Sequence, residues 1–221
     1  MIVVVGSRHD PVAIGLAAGL PRGALCGADD LTRPGWCWPL ASPEGARWVV
    51  DGCTVDDRDV RGVIVRRNRV HPEELLATHA DDREYLAAEA TAFLGFVLSR
   101  TAARVVNRPV DGLLGDDALR PEQWMAAALR LGLAVAPLQM RSGGRLPAPG
   151  AAEPLEVAVG RAFGSGPPAR HAAAVALAAE LGLDFACLVF DGRGRLLALS
   201  TQGDPSLRAR SALAAAFGAG P

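Results

Sequence analysis

Apolar positions recur on two periods along this chain, one suited to buried strands and one to helices. Ile2–Val5 is a β-branched run closed by Gly6, and Asp10-Pro11 follows as an N-cap with proline at the first helical position, before the apolar stretch Val12 to Leu20. This predicts strand, loop and helix. Gly23 to Thr54 is rich in Gly, Pro and Trp; within it Trp48-Val-Val50 and Cys53-Thr-Val55 flank Asp51-Gly52 and read as a hairpin with a two-residue turn. Val60 to Val65 is a second buried strand, ending in the polar run Arg66-Arg-Asn-Arg69. Asp81 to Ser99 has an acidic first turn and an apolar face at Leu86, Ala90, Phe93, Leu94 and Val97, which predicts a helix. A strand at Ala103 to Val106 ends in Asn107-Arg108-Pro109. Pro121 opens a further helix to Arg130, with Gly132 as its C-cap and a strand at Leu133 to Val135 stopped by Pro137.

Residues 138–154 show no periodicity and are dominated by Gly, Pro, Ala and Ser, as in a linker. Beyond them the pattern predicts a strand at Leu155 to Val159, a helix from Pro168 to Leu181, strands at Phe185 to Phe190 and Arg195 to Leu199 about a turn at Asp191-Gly-Arg-Gly194, and a last helix from Pro205 to Phe217. The expected class is α/β: a Rossmann-like parallel sheet in an N-terminal domain (1–137) and an α+β domain at 155–221. No internal repeat is visible.

Half of the 221 residues are apolar, enough for a sizeable core, and the net charge is −1. All 23 basic residues are arginine. Schiff-base chemistry and lysine cradles for phosphate are thereby excluded. Arginines scattered along a near-neutral chain argue against a nucleic-acid surface. The first residues read as a strand and not a signal peptide, and the most apolar stretch, Ala172 to Phe190, is interrupted by Glu180 and Asp184, so the expectation is a cytoplasmic protein without a membrane span. Cys26, Cys37, Cys53 and Cys187 lack zinc-site spacing and read as buried free thiols. No metal site is expected.

Three stretches in the right order resemble the ATP-grasp superfamily, in particular bacterial peptide-modifying ligases of the microviridin-ligase type. The first is Asp51-Gly-Cys-Thr-Val-Asp-Asp-Arg-Asp-Val-Arg-Gly-Val-Ile-Val-Arg-Arg67, similar to a hairpin and a strand ending in paired arginines. The second runs from Tyr85 through Val105-Val-Asn107-Arg-Pro109 to Arg120-Pro-Glu-Gln-Trp-Met and Gly132-Leu-Ala-Val-Ala-Pro137. The third joins Ala176-Leu-Ala-Ala-Glu-Leu-Gly-Leu-Asp184 to Phe190-Asp-Gly-Arg-Gly-Arg-Leu-Leu-Ala-Leu-Ser-Thr201 and Asp204-Pro205, like the family's final helix and hairpin. The resemblance implies a pre-ATP-grasp N-terminal domain and a truncated ATP-grasp-like C-terminal one.

Departures from that pattern bear on function. Pro137 is followed by the linker and not by lysine-bearing strands, so the nucleotide-clamping subdomain reads as deleted. The family's aspartate falls near Val189 and its Glu-x-Asn near Leu199-Ser-Thr201, so oxygen ligands for Mg²⁺ are replaced. No cofactor and no catalytic residue are expected.

Ligands of open α/β sheets sit outside the carboxyl ends of strands. Here Ser7 and Asp10, Arg66 and Arg67, and Asn107 are the candidate ligand-binding residues, and the paired arginines suit an anionic peptide or small acid. Arg66, Arg69 and Arg108 read more readily as solvated loop residues, and Arg67 and Asn107 equally as either. His9, His71, His79 and His171 read as loop or helix-start residues, and the four tryptophans as core or interface aromatics. A further expectation concerns partners. Leu155, Val157, Val159, Phe163, Phe185, Leu188, Phe190, Leu196, Leu197 and Leu199 offer more apolar surface than one helix covers, implying a dimer or a second subunit. Three functions stay open: a degenerate ATP-grasp-like binding, scaffolding or accessory subunit of a biosynthetic pathway; a carboxylate–amine ligase active only with a partner subunit; and a Rossmann-like sensor of a small anionic metabolite.

Overall fold

The first β-branched run lies at the heart of a parallel sheet. In the computed structural model, which describes residues 1–40, 44–109, 114–115, 119–137 and 153–218, the chain divides into two units, Met1–Ala118 with Leu213–Pro221 and Leu119–Ala212. The first unit contains β1 (Ile2–Val5), α1 (Pro11–Gly19), β2 (Gly23–Cys26), the single turn α2 (Ala28–Leu31), β3 (Arg47–Val50), β4 (Cys53–Asp56), β5 (Gly62–Val65), α3 (Arg83–Arg100) and β6 (Arg104–Val106). Its sheet has the order β2-β1-β5-β6, all parallel, with Val5 level with Cys26 on one side and Val65 on the other. Both faces of β1 and β5 are covered, which is why they read as unbroken apolar runs. Val3, Val5, Val63, Val65 and Val105 share a core with Leu94, Val97 and Leu98 of α3 and with Trp48. The β3–β4 hairpin turns on Asp51 (φ 50°) and Gly52 (φ 75°), the left-handed pair that a two-residue hairpin turn of this twist requires.

The second unit holds α4 (Pro121–Arg130), β7 (Glu153–Ala158), β8 (Arg161–Gly164), α5 (Pro168–Glu180), β9 (Phe185–Phe190), β10 (Leu196–Ser200) and the start of α6 (Leu207–Gly218). Its sheet is antiparallel in the order β10-β9-β7-β8. The expected strand at Leu133 to Val135 shrinks to one bridge, Val135 beside Leu196. The expected linker lies outside the described residues except for Glu153 and Pro154, which open β7. Helix α4, grouped by composition with the N-terminal domain, shares a core with α5 and the antiparallel sheet through Trp124, Ala127 and Ala128.

Two expectations are corrected here. Of the residues predicted to form an uncovered apolar face, Leu155, Val157, Phe185, Leu188, Phe190 and Leu196 are buried, because two helices and not one cover the sheet. Val159, Phe163, Leu197 and Leu199 are half-buried. Among the cysteines, only Cys26 is buried; Cys37 and Cys187 are half-buried and Cys53 is exposed. Burial, with Asp30 nearby, pushes the Cys26 thiol well above its ordinary range.

Candidate functional site

The chain leaves β1 toward β2 on one side and leaves β5 toward β6 on the other, so the carboxyl ends of the neighbours β1 and β5 mark a topological switch point. Gly6 closes β1 there. A Cβ at this position would stand 2.7 Å from that of Ala13, so only glycine lets α1 pack this close to the strand end. The next residues form a loop in which Ser7 Oγ accepts from the His9 amide at 3.2 Å and Asp10 caps α1 by accepting from the Val12 amide at 2.9 Å.

The two arginines after β5 meet this loop. Arg67 is buried, and its Nη2 donates to Gly6 O at 2.8 Å and to Glu74 at 3.0 Å, which ties the end of β5 to the end of β1. Ser7 also helps to hold the Glu74 carboxylate ionised. Arg66 pairs with Asp10 through Nε at 3.3 Å and Nη2 at 3.2 Å. Four of the five candidate residues, Ser7, Asp10, Arg66 and Arg67, therefore do converge. Their charged groups face one another, and the guanidinium forks expected to hold an anion already hold carboxylates of the same chain.

Asn107 follows β6 with φ 52°, a left-handed conformation that asparagine tolerates better than most residues. It places Arg108 beneath the end of α3, where the guanidinium donates to the carbonyls of Leu98, Ser99, Thr101 and Ala103. Arg108 is a C-terminal helix cap.

Sequence reasoning missed a second cluster beside the switch point. Arg8 donates to Asp29 at 2.8 Å, to Asp30 at 3.1 Å and to Asp51 at 3.4 Å. Asp30 is fully buried and also accepts from the Gly27 and Gly52 amides, pinning the hairpin turn to the end of β2. The signal is present as Asp29-Asp30, but Gly-Ala-Leu-Cys of β2 carries no strand pattern of its own, so nothing in the sequence marks a strand end there. Arg8, Arg33, Arg66 and Arg67 stand among Asp10, Asp29, Asp30, Asp51, Glu73 and Glu74, and the crevice is net acidic. A cavity of about 110 Å³ opens here between Arg8, His9, Asp29, Glu74 and Leu76. Among the described residues no three His, Cys, Asp or Glu side chains group as metal ligands, and no helix is long and apolar enough to cross a membrane.

Burial alone would raise the Glu74 pKa, but Arg67, Ser7 and the His71 amide together hold it below the ordinary range; Arg8 does the same for Asp29 against a similar burial effect. A depressed carboxylate contributes stability that is present above its unfolded pKa, about 4.3 for Glu, and lost as pH falls through the lower folded value. Acid titration of the melting temperature should therefore show a decline beginning below about pH 4.3 that is shallower in Glu74→Gln. An equally steep decline in that variant would show that the pair is not the linked group.

No family model and no curated protein sequence matches the chain. Solved structures do. Macrocyclase MdnC from Microcystis aeruginosa MRC, bound with precursor peptide MdnA, superposes with a TM-score of 0.70 at 12% identity, covering 100% of both chains. The chain has the fold of the ATP-grasp peptide ligases. ATP-grasp ligase PsnB, complexed with precursor peptide PsnA2 and AMPPNP, gives 0.69 at 16% identity over 99% of this chain and 96% of that one. A RiPP-associated ATP-grasp ligase from Chryseobacterium gregarium, in complex with ADP and a leader and core peptide, gives 0.70 at 9% identity over 98% and 96%. The α/β architecture expected from the resemblance, with its parallel N-terminal sheet, is the one observed.

Proposed function

We propose that this ATP-grasp-like chain serves a peptide-modification pathway in the cytoplasm as a peptide-binding or scaffolding subunit, without ligase chemistry of its own. The observation that carries this is the makeup of β9 and β10. Phe-Ala-Cys-Leu-Val-Phe and Leu-Leu-Ala-Leu-Ser contain no carboxylate, and Asp191, just beyond β9, is held in its turn by the Arg193 and Arg195 amides and the Arg195 side chain. Mg²⁺ requires carboxylate or other oxygen donors directed at one point, and these residues do not fit it. With no lysine in the sequence, the phosphate charge of an acyl-phosphate intermediate also lacks one of its usual neutralising groups.

A second reading has its own support. The similar structures are ligases, matched over nearly the whole of both chains, which favours a carboxylate–amine ligase completed by a partner subunit. Peptides and proteins encoded by neighbouring genes separate the two readings. Under the first, a neighbouring peptide binds the isolated chain at micromolar concentration and no ADP forms; peptide-dependent ADP release that appears only with a second subunit would establish the other.

A further inference from the structure

A groove leads away from the switch point. Its near end is the 110 Å³ cavity beside Arg8 and Glu74, and Glu73, on the 3-10 turn Pro72–Glu74, lines both this cavity and a second one of about 580 Å³. The second cavity lies between that turn and α3, where Ala88, Thr91 and Ala92 follow Glu84 at helical spacing. Small side chains along this stripe leave the helix backbone approachable by an extended chain. A large apolar group stands exposed beside it: Leu76, 73% exposed, lines the near cavity.

The charge of the groove selects its occupant. The crevice at the near end is net acidic, and the second cavity adds one arginine, Arg69, and one more carboxylate, Glu84, so the balance does not change sign. Phosphate backbones and anionic lipid surfaces are disfavoured by such a rim. A segment carrying arginine or lysine between apolar residues is matched twice, by Glu73 and Glu84 and by Leu76. Resting on the peptide-binding reading above, we propose that this groove docks an extended peptide segment that is cationic and apolar, and not the anionic one the arginine pairs suggested.

The test uses the full chain and two labelled synthetic peptides of about twelve residues, one with Arg spaced between Leu and Gln, the other with Glu in place of each Arg. Fluorescence anisotropy should show binding of the cationic peptide, weakened by added salt and at least tenfold weaker in both Ala88→Trp, which fills the second cavity from an exposed helix position, and Glu73→Arg. Unchanged melting temperatures would confirm that both variants fold. Preference for the Glu peptide overturns the proposal, as does cationic binding that neither variant alters. Failure of both synthetic peptides while a peptide encoded beside the gene still binds would sink the groove alone; failure of all three would sink the peptide-binding reading as well.

Discussion

Arg67→Ala should destabilise the protein by about 3–5 kcal/mol, the usual cost of removing one partner from a buried ion pair. Arg67 is 4% and Glu74 13% exposed at the side chain, so the abandoned carboxylate is left largely out of water and without its cation, and Gly6 O loses its donor at the same time. Replacing both partners by apolar residues of similar size, Arg67→Met with Glu74→Leu, should recover most of the loss. Chemical denaturation of the three variants decides between roles. If Arg67→Ala is as stable as the parent protein, the guanidinium is not a structural tie, and the case for a ligand-binding arginine revives.

Asp57→Ala should cost about 3 kcal/mol. Asp57 is 5% exposed and accepts from Trp48 Nε1 at 2.7 Å, from Thr101 Oγ1 at 2.6 Å and from the Ala102 amide at 3.3 Å. Truncation leaves an indole N–H and a hydroxyl buried without an acceptor, each worth about 1–3 kcal/mol. Asp57→Asn keeps an acceptor and should lose about 1 kcal/mol. Because Trp48 packs against Trp36 and Trp38 at ring distances of 5.6 and 5.8 Å, tryptophan emission should shift in the alanine variant as its environment loosens. A melting curve and spectrum matching the parent protein would contradict this role.

Much of the fold was legible because β1 and β5 are buried on both faces, β9 is an unbroken apolar run, and α1, α4 and α5 begin with proline. Two strands were not legible for identifiable reasons. Strand β2, Gly-Ala-Leu-Cys, is four residues long with two small ones, and its strand character comes from pairing with β1. Strand β8 joins β7 through Val159 (φ 50°) and Gly160 (φ 71°), and a β-branched residue in the left-handed region is a turn that no residue preference would suggest. At the site, the strand ends were enough to group Ser7, Asp10, Arg66 and Arg67, which the fold brings together, but Glu74, seven positions beyond Arg67, could not be assigned to the group without tertiary structure. The sequence therefore showed unpaired guanidiniums where the fold supplies partners. The same limit produced the expected uncovered apolar face, since nothing in the periodicity of α4 says that it joins α5 over the second sheet.

Calorimetric titration of the isolated chain with ATP, with and without Mg²⁺, should show no heat of binding in either condition and no ADP formed, because no lysine is present and β9 and β10 offer no carboxylate. Micromolar affinity that depends on Mg²⁺ would contradict that expectation.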